Sequence, residues 1–398
     1  MPHRKSVVEQ LRGATRLAVD ATQRVTDIVE AMHREVGAGP AVLGRPFETL
    51  TKVSTAPTYG AIRQVTAAVG AGLDFALGRL APLIQAETAN GGALVAALNG
   101  VLGDYLASTH NPLAIDMALW AKGAPLALNR EALEEVFPQG DKLLVLVHGC
   151  AASESSWKRD GHHHGDALER DLGFVPVALR YNSGLHISDN GKAFAAMLER
   201  LVDAWPRPVR ALVLMGHSMG GLVARAAVLA GEESRLKFRT LLRALVTLGT
   251  PHHGASLERG GNWVDAALGS SRFSAPLARL GKLRSAGVTD LRFGNVLEAH
   301  WKERDRFARD GDPREEIHLP QGVACFAVAG TTASQVSAKS PGDGLVSVDS
   351  ALGRHRKPAL HLDFGEGHTF VAPSCTHLDL LSRADVYAQL RTWLSAVV

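Results

Sequence analysis

The sequence predicts an α/β fold: a mostly parallel central sheet faced by helices, a helical insertion late in the chain, and an all-helical region on the N-terminal side. Three observations carry this. After Lys122, short Val/Leu-rich runs alternate with helix-length stretches, the texture of strand–helix–strand units. A glycine-flanked serine stands where an apolar run gives way to helical spacing, in "ALVLMGHSMGGLVARAAVLAG". Before Lys122 the apolar residues recur at three- and four-residue steps instead, which is helical periodicity.

The chain has 398 residues, with 43 basic against 40 acidic side chains and a net charge of +3. That balance supplies no field for nucleic acid or anionic membranes, and no basic-aromatic stripe offers a single strand a stacking surface. Neutral partners are expected. Cys150, Cys325 and Cys375 are too few and too dispersed for a disulfide framework or paired zinc spacing, so no metal or cofactor is expected. The opening "MPHRKSVVEQLRGATRLAVD" is charged throughout, unlike a secretory leader, and no apolar run is long enough to span a bilayer. A cytoplasmic protein without a transmembrane segment is the expectation.

Residues 1–122 read as the helical region and 123–398 as the α/β body. Val7, Leu11, Ala14, Ala18, Ala21, Val25, Ile28 and Met32 form one apolar stripe, and Ile62, Val65, Val69, Leu73, Leu77, Leu80 and Ile84 a second. A Gly/Ala-rich stretch follows, ending in "NGVLGDYLASTHNPLAI". Between Ser54 and Ala121 only Arg63, Asp74, Arg79, Glu87, Asp104 and Asp116 are charged. So apolar a segment must cover its faces. The α/β body, a second copy of the chain forming a homo-oligomer, and a lipid or polyester surface are the three candidates, and the sequence leaves them open.

In the body, the candidate strands are 143–148, 174–180, 210–215, 242–248, 323–329 and 359–364. The third leads into "GHSMG", a G-x-S-x-G pattern in a strand-to-helix context. A nucleophilic serine on such a turn needs a strained backbone to lift its Oγ above the sheet, and flanking glycines remove side chains that would clash there. Ser218 is the candidate nucleophile. It stands at a helix N-terminus, where unpaired N–H groups favour developing negative charge. The Met219 N–H is one expected oxyanion donor, and the second should come from "LLVLVHGCAAS", from the Cys150 main chain or, failing that, Ala151. His148, Gly149 and His217 are expected to line the substrate site.

In this arrangement an acid and then a base follow the nucleophile along the chain. "KSPGDGLVSVDSAL" offers Asp343 between glycines, with Asp349 second. For the base, His377 in "SCTHLDLLSRADVYAQLRTWL" is preferred to His368 in "GEGHTF", because it stands at the mouth of a final amphipathic helix that would hold its loop. "HHH" at 162–164 reads as a polar loop near the cleft, since neighbouring side chains in extended chain point to opposite sides. His252 and His253 are expected to flank the cleft.

Taken in order, "LVLVHG", "RYNSGLHISDNG", "GHSMGGLV", "LGTPHHG", "DGLVS" and "HLDLL" resemble bacterial serine lipases and esterases of the α/β-hydrolase superfamily, in the GPI-inositol-deacylase-like lipase branch. The resemblance covers roughly residues 140–398. It implies an α/β-hydrolase fold with Ser218, Asp343 and His377 as a triad, and Cys150 and Met219 N–H as the oxyanion hole. It also implies a helical cap over the cleft, at about 255–318, where Trp263, Leu268 and Phe293 would face an acyl chain. In related secreted lipases the aspartate at the place of Asp379 helps bind calcium, but here Arg383 stands where a neutral ligand would, and a guanidinium opposes a hard cation. The expected function is hydrolysis of apolar, poorly soluble carboxylic esters. Acyl transfer or polyester depolymerisation on the same triad, and a non-catalytic coat of helices on an apolar surface, are the alternatives.

Overall fold

A computed structural model describes residues 89–255, 285–305, 312, 314, 316–338 and 340–398. The expected helices at 7–32 and 62–84, and Trp263 and Leu268 of the insertion, lie outside the described residues. The chain divides into two compact units. Among the described residues the larger holds Ala93–Tyr105 and Ala114–Val398. The smaller contributes 89–92, the start of a helix, and Leu106–Leu113, a helix end and turn in which Asn111 accepts the Leu113 N–H.

The larger unit is built on an eight-stranded sheet, with strands β1 (Ala118–Ala121), β2 (Ala124–Pro125), β3 (Lys142–Val147), β4 (Val175–Arg180), β5 (Ala211–His217), β6 (Leu242–Leu248), β7 (Ala324–Gly330) and β8 (Thr369–Ala372). Their order is β2-β1-β4-β3-β5-β6-β7-β8. From β4 to β8 every neighbouring pair is parallel, and β1 and β2 are antiparallel additions at one edge. β3, β5 and β6 read as nearly continuous apolar runs because both faces are covered, as parallel sheets require.

On one face Leu144, Leu146, Val213, Met215, Val246 and Phe326 join a core closed by Leu390 and Trp393. The longer helices are α1 (Ala89–Ser108), α3 (His164–Leu172), α4 (Ile187–Ala204), α5 (Met219–Glu233) and α9 (Ala384–Val397); α2 (Arg130–Val136), α6 (Phe238–Leu241), α7 (Ala286–Asp290) and α8 (Val348–Ala351) are short. α4 and α5 pack closely at Gly191, where an added Cβ would come within 2.4 Å of Ala226 Cβ. None of the described helices is long and apolar enough to cross a membrane.

Five of the six expected strands appear, and the sixth is displaced. Residues 359–364 form a 3-10 turn at Pro358–Leu360 and then unpaired extended chain. Leu360, Leu362 and Phe364 are buried alternately. Period-two burial thus arises here from packing without a ladder, while Thr369–Ala372 takes the edge of β7.

The sheet also begins earlier than residue 123. β1 and β2 form a hairpin whose two turn residues, Lys122 and Gly123, have φ of 50° and 78°, the left-handed pair of a two-residue hairpin turn. The expected boundary at 122/123 therefore cuts a turn inside the body. Part of the Gly/Ala-rich stretch, expected in the helical region, also belongs to the body: Ala93–Tyr105 of α1 lies in the larger unit. Glycine makes this packing: a Cβ on Gly100 would lie 2.7 Å from Ala151 Cβ, and one on Gly103 1.9 Å from Asn182 Oδ1. Asn182 Nδ2 in turn donates to the Gly103 carbonyl.

Candidate active site

Ser218 stands between β5 and α5 with φ 56° and ψ −126°, a positive-φ conformation that costs a non-glycine residue energy. The neighbouring glycines show why the bend is held. An added Cβ at Gly216 would meet Gly221 N at 2.4 Å, at Gly220 the Val147 carbonyl oxygen at 2.1 Å, and at Gly221 Thr250 Oγ1 at 2.0 Å. Gly220→Ala should therefore destabilise the fold by about 3 kcal/mol, since its clash is with backbone of β3 that cannot rotate away. Urea denaturation would measure this, and an unchanged midpoint would refute it.

Asp343 and His377 meet behind this turn. His377 Nδ1 lies 2.7 Å from Asp343 Oδ2, and both residues are buried. Asp343 Oδ1 accepts the N–H groups of Leu345 and Val346, and the Asp343 carbonyl accepts the His377 N–H. Burial alone would raise the Asp343 carboxyl, but the His377 ring and these hydrogen bonds outweigh it and hold it below the usual carboxylate range. With Nδ1–H turned to the carboxylate, Nε2 is the basic nitrogen. It finds no hydrogen-bond partner among the described residues, Ser218 Oγ included, a contact that in free enzymes commonly closes only with substrate.

Of the lower-ranked residues, Asp349 is exposed on α8 and faces Arg354 at 3.7 Å. His368, just before β8, meets the Phe326 ring in a tilted contact. Ser218 follows the carboxyl end of the interior strand β5, whereas His368 precedes the edge strand β8 and is not among the residues lining the cleft with Ser218.

Ser218, Asp343 and His377 share a cleft of about 510 Å³ with Gly149, Cys150 and His217, within the size range of small-molecule sites. Gly149 brings its loop against the serine: a Cβ there would be 3.1 Å from Ser218 Cβ. Met219 opens α5. The Ala151 N–H is donated to Ser183 Oγ, which removes it as the alternative oxyanion donor.

His148 does not line this cleft, contrary to expectation. It is buried, stacked on Tyr181, with Nδ1–H donating to the Gly149 carbonyl and Nε2 accepting the Tyr181 N–H. Burial lowers it to about 4, so it is neutral. The Gly149 C=O and Cys150 N–H belong to one trans peptide and point in opposite directions. By holding the carbonyl, His148 sets the direction of the Cys150 N–H. His217 lines the cleft, but its Nε2–H is committed to the His377 carbonyl at 3.0 Å, and burial lowers it to about 3.

The "RYNSG" stretch emerges as the brace of the site. The Tyr181 hydroxyl donates to the His148 carbonyl, Ser183 accepts from Ala151, and Asn182 ties α1 down. The same helix supplies Ala93 and Ala96 to the wall of the cleft. Neither contribution is visible in local sequence pattern, because each depends on elements far apart in the chain.

The other histidines singled out in the sequence do not line the cleft. His163 caps α3 through Nδ1, and His164 bonds the Leu380 carbonyl. His252 and His253 leave the cleft and line a second, smaller cavity. Phe293 is half-buried beside Arg292 and is not among the residues of the cleft wall. Asp379 accepts the Thr376 N–H, and Arg383 pairs with Asp385.

A mostly parallel sheet whose central strand ends in a positive-φ serine, with a buried imidazole–carboxylate pair carried by loops after later strands, is the α/β-hydrolase fold. Residues 162–302 match the family described as PGAP1-like alpha/beta domain. No curated protein sequence matches the chain. Among solved structures it is similar to the mature Bacillus licheniformis lipase BlEst2, at 18% identity over 71% of this chain and 98% of that one, TM-score 0.41. It is also similar to Aspergillus fumigatus lipase B, at 12% identity over 68% and 54%, TM-score 0.40, and to the Pyrococcus furiosus esterase Pf2001, at 13% over 65% and 82%, TM-score 0.39.

Proposed function

We propose that the protein is a serine hydrolase of apolar carboxylic esters. One observation carries this reading: a 2.7 Å His377–Asp343 pair, buried beside the strained Ser218 in a single cleft. Ser218 Oγ attacks the ester carbonyl as His377 Nε2 takes its proton. The oxyanion rests on the Met219 and Cys150 N–H groups, and collapse expels the alcohol with the proton returned from His377. Water, deprotonated by the same nitrogen, then attacks the acyl-enzyme, and as the adduct collapses His377 returns that proton to Ser218 Oγ and the acid leaves. Asp343 keeps the ring in its Nδ1–H tautomer and stabilises the imidazolium.

The cleft wall favours an apolar acyl group, with Ala93, Ala96, Leu345, Leu378 and Leu381 around it. Incubation with a fluorophosphonate probe tests the chemistry directly: stoichiometric labelling at Ser218 is expected, and an unlabelled protein would refute the reading. A series of p-nitrophenyl esters tests the substrate class. Ala93→Trp should lower kcat/KM for long acyl chains by roughly tenfold while sparing the butyrate, because overfilling a packed site costs about 1–3 kcal/mol. Equal losses at every chain length would show that α1 does not border the acyl site.

A further inference from the structure

We propose that a second cavity, of about 20 Å³, binds a halide-sized monovalent anion, chloride in physiological solution. It is lined by Arg225 of α5, His252 and His253 after β6, His300, and Arg314.

The argument starts from Arg225. Its side chain is buried, 5% exposed, yet among the described residues it has no carboxylate partner, and its side-chain hydrogen bond there goes to His252 Nδ1 at 3.2 Å. A buried guanidinium without a counter-charge is costly. The neighbouring Arg314 is compensated differently. It makes a bidentate pair with Asp312 and donates its third group to the His252 carbonyl. Among the described residues, two guanidiniums and one carboxylate leave one positive charge at the cavity.

The histidines do not change that balance. His252 passes its Nε2–H to Thr247 Oγ1, and His253 donates from Nε2 to the Gly353 carbonyl. Burial keeps both neutral, with His253 lowered to about 3 and His300 to about 4. His300 is 2% exposed and accepts the Val296 N–H at Nδ1, so its proton sits on Nε2. That N–H finds no acceptor among the described residues. The cavity thus presents an uncompensated guanidinium and an orphaned donor N–H.

Size selects the ligand. A volume near 20 Å³ holds about one water-sized particle, which suits a halide and excludes sulfate or phosphate. A bound anion would join α5, two turns beyond Ser218, to the loop after β6 and the segments around residues 294–300 and 314. Its effect is on stability and does not depend on the ester-hydrolase reading.

Two measurements on the full chain decide it. Thermal unfolding at equal ionic strength should give a Tm roughly 1–2 °C higher in sodium chloride than in sodium gluconate, the shift expected from about 1 kcal/mol of linkage in a chain of this length. Crystals soaked in sodium bromide should show an anomalous peak within hydrogen-bond distance of Arg225. Arg225→Met should abolish the chloride-specific shift, and a variant that keeps the full shift overturns the proposal. If that variant does not fold, the wild-type chain decides. No bromide peak means water or nothing fills the cavity, a peak without a Tm difference means an adventitious ion only, and either outcome overturns the proposal.

Discussion

Replacing Ser218 with alanine is expected to lower kcat for p-nitrophenyl butyrate by about 10⁶-fold, the loss that follows when a triad nucleophile is removed. The fold should survive, because the bend does not depend on the hydroxyl. Ser218 N–H donates to the Leu248 carbonyl and Gly221 N–H to the Ser218 carbonyl, and three glycines make room for the turn. Alanine meets the same positive-φ demand as serine, so Tm should move by no more than about 2 °C, within the range of a 1 kcal/mol change. Fluorophosphonate labelling should vanish with the activity. A variant that turns over the ester at a near-native rate would locate the nucleophile elsewhere.

Asp343→Asn is expected to cost about 10⁴-fold in kcat. The carboxylate accepts three N–H groups: His377 Nδ1–H on one oxygen, Leu345 and Val346 N–H on the other. An amide cannot accept at both ends. If its NH2 faces the ring, Nδ1 must become the acceptor and Nε2 carries the proton, which disables the base. If it faces the backbone, two donors oppose a third.

The same substitution has a pH signature. The folded pKa of Asp343 is held below its unfolded value near 3.9. Its contribution to stability is therefore complete above the unfolded value and is lost as pH falls through the folded one. The asparagine variant, having no carboxyl to titrate there, should lose less stability than the native chain between about pH 7 and about pH 3. Urea midpoints at the two pH values check this, and identical acid sensitivity would mean that the His377–Asp343 bond does not form in solution.

Much of the body is readable in the residues themselves. β6 is found at its own bounds, 242–248, because a fully covered parallel strand must be apolar on both faces. Ser218 is readable because glycines on both sides of a serine, between an apolar run and helical spacing, satisfy the steric demand of one turn. The β1–β2 hairpin is missed because its strands are four and two residues long, too short for a period. The strand expected at 359–364 fails for the opposite reason: its alternation is real, but a period of two reports burial and not pairing.

Local chemistry thus determined the apolar strands, the elbow, and the types of residue from which an acid and a base could be drawn. Those properties depend on a residue and its immediate neighbours. Tertiary structure decided which aspartate meets which histidine, that His148 turns away from the cleft to hold a peptide, and that part of a Gly/Ala-rich helix walls the cleft. Each of these is a contact between segments distant in the chain, so its energy appears only when the sheet order brings them together.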